Sequence, residues 1–137
     1  MPSRSQLRAF VRTGGLGDQV GFLIDGVALL ELLGLRTGDW VGPPPGVVCP
    51  PSDHLFGGPD RWEDPNDPWF GNDLVAVAAC GCGQPGCRAV LMTVSMKTDE
   101  VVWSGFRIHS DETALGGEWR FNPRQYRAAI RAVCPGT

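Results

Sequence analysis

The chain is poor in lysine, histidine and tyrosine, and it lacks any long hydrophobic run. Lys97 is the only lysine among 137 residues, against eleven arginines, the bias expected of a G+C-rich bacterial coding sequence. Apolar stretches reach only about seven residues, whereas a helix that crosses a bilayer needs about 20. Residues 1–20 carry Arg4, Arg8 and Arg12 without an apolar core between them, which is unlike a secretory signal. A net charge of -3 and a pI near 5.2 remove any global attraction to nucleic acid or anionic lipid. With two histidines, no Gly-x-Ser-x-Gly elbow and no His-Glu-x-x-His pair, no recognised catalytic set is present. These absences point to a small non-enzymatic protein of the cytoplasm.

Glycine and proline are plentiful instead, 19 and 12 residues without a repeat period, so the chain is rich in loops and not collagen-like. The apolar share of 42% supplies enough surface for one core, which argues against disorder and for a single domain over 1–137. Five cysteines cannot all pair within one chain, and a reduced protein is the simpler expectation.

Residues 6–12 alternate loosely, with Leu7, Ala9 and Val11 on one side, and Val20 to Asp25 reads as a second strand beyond a turn over 13–18. Residues 27–33 form a short helix that must be mostly buried, since Glu31 is its only charge, and Gly34 is placed for a left-handed cap. Eight of the twelve prolines fall in 34–72, which excludes long helices and central strands there. Trp40, Val47, Leu55, Trp62, Trp69 and Phe70 anchor this Pro-rich segment, so an ordered, wrapped loop is expected.

The second half is clearer. Strands over 72–79, 88–97 and 101–109, joined by short turns, predict an antiparallel three-stranded meander. A strand at 118–121 follows, and Asn122-Pro123 opens a helix with Tyr126, Ala129, Ile130 and Val133 on one face. The class is α+β, mainly antiparallel, with one short buried helix and one amphipathic C-terminal helix.

The motif with most chemistry is Cys80-Gly81-Cys82-Gly83-Gln84-Pro85-Gly86-Cys87. Pairing Ala79 with Arg88 sets Cys80 opposite Cys87, with Cys82 in the turn above, so three sulfurs converge. With a fourth ligand they would form a tetrahedral structural zinc site. His54 is favoured for that position over His109, Cys49 and Cys134. His109 would lie across from Arg88, but strand parity turns it to the other face. Two other readings stay open: buried thiols without metal, and a redox pair or sensor. The literal Gly81-x-Gly83-x-x-Gly86 is no dinucleotide site, because a strand follows where a helix is needed.

Six acids stand against Arg61 between Asp53 and Asp73, most of them in a solvated loop. Within it, Trp62, Trp69 and Phe70 are the candidate contacts for an unidentified partner protein, of immunity or antitoxin type. Arg120, Arg124, Arg127 and Arg131 offer a weaker alternative, nucleic-acid binding through the last helix.

Ile24-Asp25-Gly26, the stretch from Pro50 to Gly57, the cysteine turn, Val102-Trp103-Ser104-Gly105-Phe106 and Arg124 to Ala129 together resemble a family of small proteins from G+C-rich bacteria. The resemblance implies a single cytoplasmic domain and brings no catalytic or binding residue.

Overall fold

A computed structural model describes residues 4–14, 17–48, 70–71, 74–81, 88–108 and 113–134. The fold is α+β, with two antiparallel sheets and three short helices among the described residues. The smaller sheet has the order β1 (Leu7–Gly14), β2 (Gly17–Ile24), β3 (Val27–Ala28). The strands of its first hairpin run closer to the turn than the alternation suggests: Gly14 faces Gly17, leaving a two-residue connection. Asp25 and Gly26 both adopt positive φ, 52° and 83°, as a tight hairpin turn between β2 and β3 requires. The Asp25 carboxylate also accepts the Gln6 N–H at 2.8 Å, which helps an aspartate hold that conformation.

Of the short helix expected over 27–33, one turn forms, α1 (Leu29–Leu32), while its first two residues make β3 (Val27–Ala28) instead. Only Leu29 and Leu33 of this run are buried, while Leu32 and Val27 are each 40% exposed. The turn lacks a side-chain cap and is too short for a full apolar stripe. Gly34 does take the left-handed cap conformation, with φ of 78°.

The prolines keep the next elements short: a 3-10 turn (Thr37–Asp39), β4 (Trp40–Val41), α2 (Pro45–Val48) and β5 (Phe70–Gly71). The remainder of the expected wrapped loop, residues 49–69, lies outside the described residues. The larger sheet follows, with β6 (Leu74–Cys80), β7 (Ala89–Met96) and β8 (Val101–Ile108) as the expected meander. Then come β9 (Thr113–Ala114), β10 (Glu118–Phe121) and α3 (Pro123–Arg131). The strand order is β10-β8-β7-β6-β4, with β5 also on β6 and β9 also on β8.

One hydrophobic core joins both sheets and α3. Its centre is Trp103 of β8, fully buried, with edge-to-face contacts to Phe22 of β2, Phe121 of β10 and Tyr126 of α3 at 5.2–5.9 Å. The Trp103 indole N–H donates to the Tyr126 hydroxyl at 3.2 Å, so the largest buried side chain keeps its polar atom satisfied. As the pattern predicts, α3 turns Tyr126, Ala129 and Ile130 inward, and Asn122 caps it by accepting from the Arg124 and Gln125 N–H groups.

Hydrogen bonds fasten the small sheet to its surroundings on both sides, besides the Ser5 N–H donated to the Arg120 carbonyl of β10 at 2.8 Å. The Gln125 side chain mimics a strand at the outer edge of β1: its carbonyl accepts the Leu7 N–H at 2.9 Å and its amide donates to the Leu7 carbonyl. On the far side of the small sheet, the Val20 N–H donates to the Pro43 carbonyl at 2.8 Å. Gly42, just before it, lies so close to the Val20 carbonyl oxygen that a Cβ would sit 1.9 Å from it.

Candidate functional site

Cys80 ends β6, and its neighbours come from β4 and from the residue just before β7. Trp40 of β4 is its partner on one side. On the other, the Cys80 N–H donates to the Arg88 carbonyl at 2.9 Å. Residues directly opposite in an antiparallel sheet share a face, so Trp40, Cys80 and Arg88 form one row. The Arg88 guanidinium carbon lies 5.5 Å from the centroid of the Trp40 ring, a cation–π stack that spans this row. Trp40 is buried, Cys80 half-buried and Arg88 exposed, which puts the thiol at the border between core and water.

The row lines a recess of about 350 Å³ that also takes in Arg36 and Asp39 from the segment after α1. Among the described residues, two guanidinium groups and one carboxylate line it.

The structure corrects the register assumed for this turn. Ala79 pairs with Ala89 and not with Arg88, so Cys80 faces Arg88 and not Cys87. The cause is an irregularity between Ala76 and Ala78, which slides the end of β6 by one residue along β7. A second one, between Leu91 and Thr93, pairs Val90 with Ile108 where a regular count from the Thr98-Asp99 turn gives Arg107. Gly105, at φ of 66°, absorbs the extra residue.

Of the proposed zinc ligands, only Cys80 lies among the described residues. Cys82, Cys87, His54, and the alternatives Cys49 and His109, lie outside them. Among the described residues, no three His, Cys, Asp or Glu side chains gather closely enough to hold a metal ion. Cys134, expected to be a plain thiol or a spare ligand, is half of a disulfide instead. It is buried after α3, with its sulfur 3.3 Å from the Ile130 carbonyl oxygen, and its partner cysteine lies outside the described residues. A disulfide sulfur is no metal ligand, and the expectation of five reduced thiols is corrected with it.

The partner-contact residues Trp62 and Trp69 also lie outside the described residues, and Phe70 is placed only by its backbone, opposite Val75. The arginine set divides. Arg120 pairs with Glu100 at 2.5 Å and with Glu118 at 3.3 Å, so it serves the sheet. Arg124, Arg127 and Arg131 stay exposed on α3. Arg36, Asp39, Trp40 and Arg88 carried no local signal, since they come together with Cys80 only in the folded recess. Among the described residues, no helix is long and apolar enough to cross a membrane. No family model, curated protein or solved structure matches the chain.

Proposed function

We infer that the protein is a small non-enzymatic domain whose cysteine turn responds to oxidants, with Cys80 as the first thiol to react. The observation that carries this reading is the half-buried Cys80 held between Trp40 and Arg88 in a recess shared with Arg36. The Cys80 thiolate attacks the peroxide O–O bond, forming a sulfenic acid and releasing hydroxide, which takes up a proton to leave as water. A second thiol of the turn, from Cys82 or Cys87, then attacks the sulfenic sulfur and expels water. Two thiols and one peroxide become one disulfide and two waters, so electrons and atoms balance.

The experiment is a thiol count on unreduced, denatured protein before and after mild hydrogen peroxide, with elemental zinc measured on the same sample. Three thiols per chain are expected at the start, since Cys134 and its partner are already joined. Peroxide should bring them to one. In Cys80→Ser, the remaining two should persist under the same exposure. Equal thiol loss in that variant would overturn the role of Cys80. About one zinc per chain, with thiols that react only after chelation, would replace the sensor with a structural zinc site.

A further inference from the structure

A second recess, of about 210 Å³, lies against the β1–β2 hairpin and is separated from the cysteine recess by Trp40, which lines both. Gln19 is buried in it, with 9% of its surface exposed. Its carbonyl oxygen accepts from two donors, the Gly42 N–H at 2.8 Å and the Arg12 guanidinium at 3.4 Å. Both partners are donors, which fixes the orientation of the amide: oxygen toward them, nitrogen away. The side-chain NH2 therefore has no acceptor among the described residues, a state that buried amides rarely keep.

The walls fit a small apolar body. Phe10, Phe22, Leu29, Leu30, Trp40 and Val77 supply aromatic and aliphatic surface. Phe10 can fold across its neighbour only because residue 21 is glycine, where a Cβ would come within 2.4 Å of the ring. Arg12 stands next to Gln19 with most of its five N–H donors uncommitted, so two groups offer donors to one acceptor. Glu31 lines the same recess and opposes a second negative charge. The volume equals roughly seven water molecules, which suits a single ring or a branched chain.

The geometry points to a binding site for a small apolar monocarboxylate, its carboxylate held by Gln19 and Arg12 and its body between Phe10 and Trp40. This site is independent of the cysteine chemistry. Benzoate is the probe, with benzamide as its neutral analogue and phthalate as its dianionic one. Each is titrated into the full isotope-labelled chain and followed by NMR at the Gln19 side-chain NH2 and the Gly21 and Gly42 amides. Benzoate should give saturable shifts at these groups, with a dissociation constant on the order of 1 mM or tighter. Benzamide and phthalate should each bind about tenfold more weakly or worse.

Arg12→Gln, at an exposed position, should keep the native spectrum and weaken benzoate about tenfold. Gly21→Ala should displace Phe10 and abolish the shifts, and Gln19→Leu should do the same if it folds. The inference is overturned if benzoate produces no saturable shift at these groups. It is equally overturned if benzamide binds as well as benzoate, or if Arg12→Gln leaves the affinity unchanged.

Discussion

The single tyrosine makes alkaline unfolding a direct test of the core. Tyr126 is fully buried under Trp103 and Phe121. Burial pushes its phenol well above the ordinary range, and the hydrogen bond from Trp103 offsets that only in part. In the unfolded chain the phenol ionises near its usual value of about 10. Above that pH the unfolded state has lost a proton that the native state keeps. The unfolded state then binds fewer protons, so stability falls as pH rises, by about 1.4 kcal/mol per pH unit. At pH 12 the loss is about 2.7 kcal/mol, a large share of the roughly 5–15 kcal/mol that holds a domain folded. The assay follows tyrosinate absorbance and far-ultraviolet circular dichroism along one pH series. Phenolate should appear only as the dichroism signal is lost, and the shared midpoint should move to lower pH in mild urea. Tyr126→Phe should remove the alkaline slope, while losing about 1–2 kcal/mol at neutral pH because the Trp103 N–H is orphaned. Reversible phenolate formation near pH 10 with the dichroism intact would refute the reasoning.

The links between the sheets give further tests. Gly42→Ala drives a methyl into the Val20 carbonyl oxygen and should destabilise by roughly 3 kcal/mol or more, read as a lower urea midpoint; a change under about 0.5 kcal/mol would mean that this approach is looser than described. Gln125→Ala leaves the Leu7 N–H and carbonyl without their partner, for a loss of about 1–2 kcal/mol and faster amide exchange at Leu7. Asn122→Ala removes the cap of α3 and should lose about 1 kcal/mol, with most of the effect in the helix signal.

These elements differ in how openly the sequence declared them. The last helix was legible almost to the residue, because a cap, a proline at the first position and a one-sided apolar face agree with each other. The meander was legible too, since short turns leave consecutive strands little choice but to pair. The run from Val27 to Leu33 was legible in part: one helical turn forms over Leu29–Leu32, but Val27 and Ala28 pair with β2 instead of starting the helix. The Asp25-Gly26 turn was the better guide there, as it commits the chain to a second pairing with β2. The two-sheet arrangement had no local signature. It is held by contacts far apart in the chain, such as Ser5 on Arg120, Gln125 of α3 on residue 7 and Val20 on residue 43, which only the assembled chain makes.

The cysteine turn shows why a site is harder to read than a strand. Its composition was plain, but the chemistry depends on what faces each sulfur, and that depends on register. A single irregularity between Ala76 and Ala78 replaces a sulfur opposite Cys80 with the backbone and guanidinium of Arg88. Strand propensity is nearly blind to such a slip, since Val75, Ala76, Val77, Ala78 and Ala79 are all buried and no alternation of polar and apolar residues marks one face. The same blindness hid Gln19, whose polarity reads from sequence as exposure although the chain from Trp40 to Pro43 closes over it. Both candidate sites thus arise where the Trp40–Pro43 segment crosses from the larger sheet to the smaller one. Trp40 divides the two recesses, Gly42 holds the Gln19 amide and Pro43 fastens Val20. A substitution at Trp40 should therefore disturb thiol reactivity and carboxylate binding together, whereas Arg88 and Arg12 substitutions should separate them.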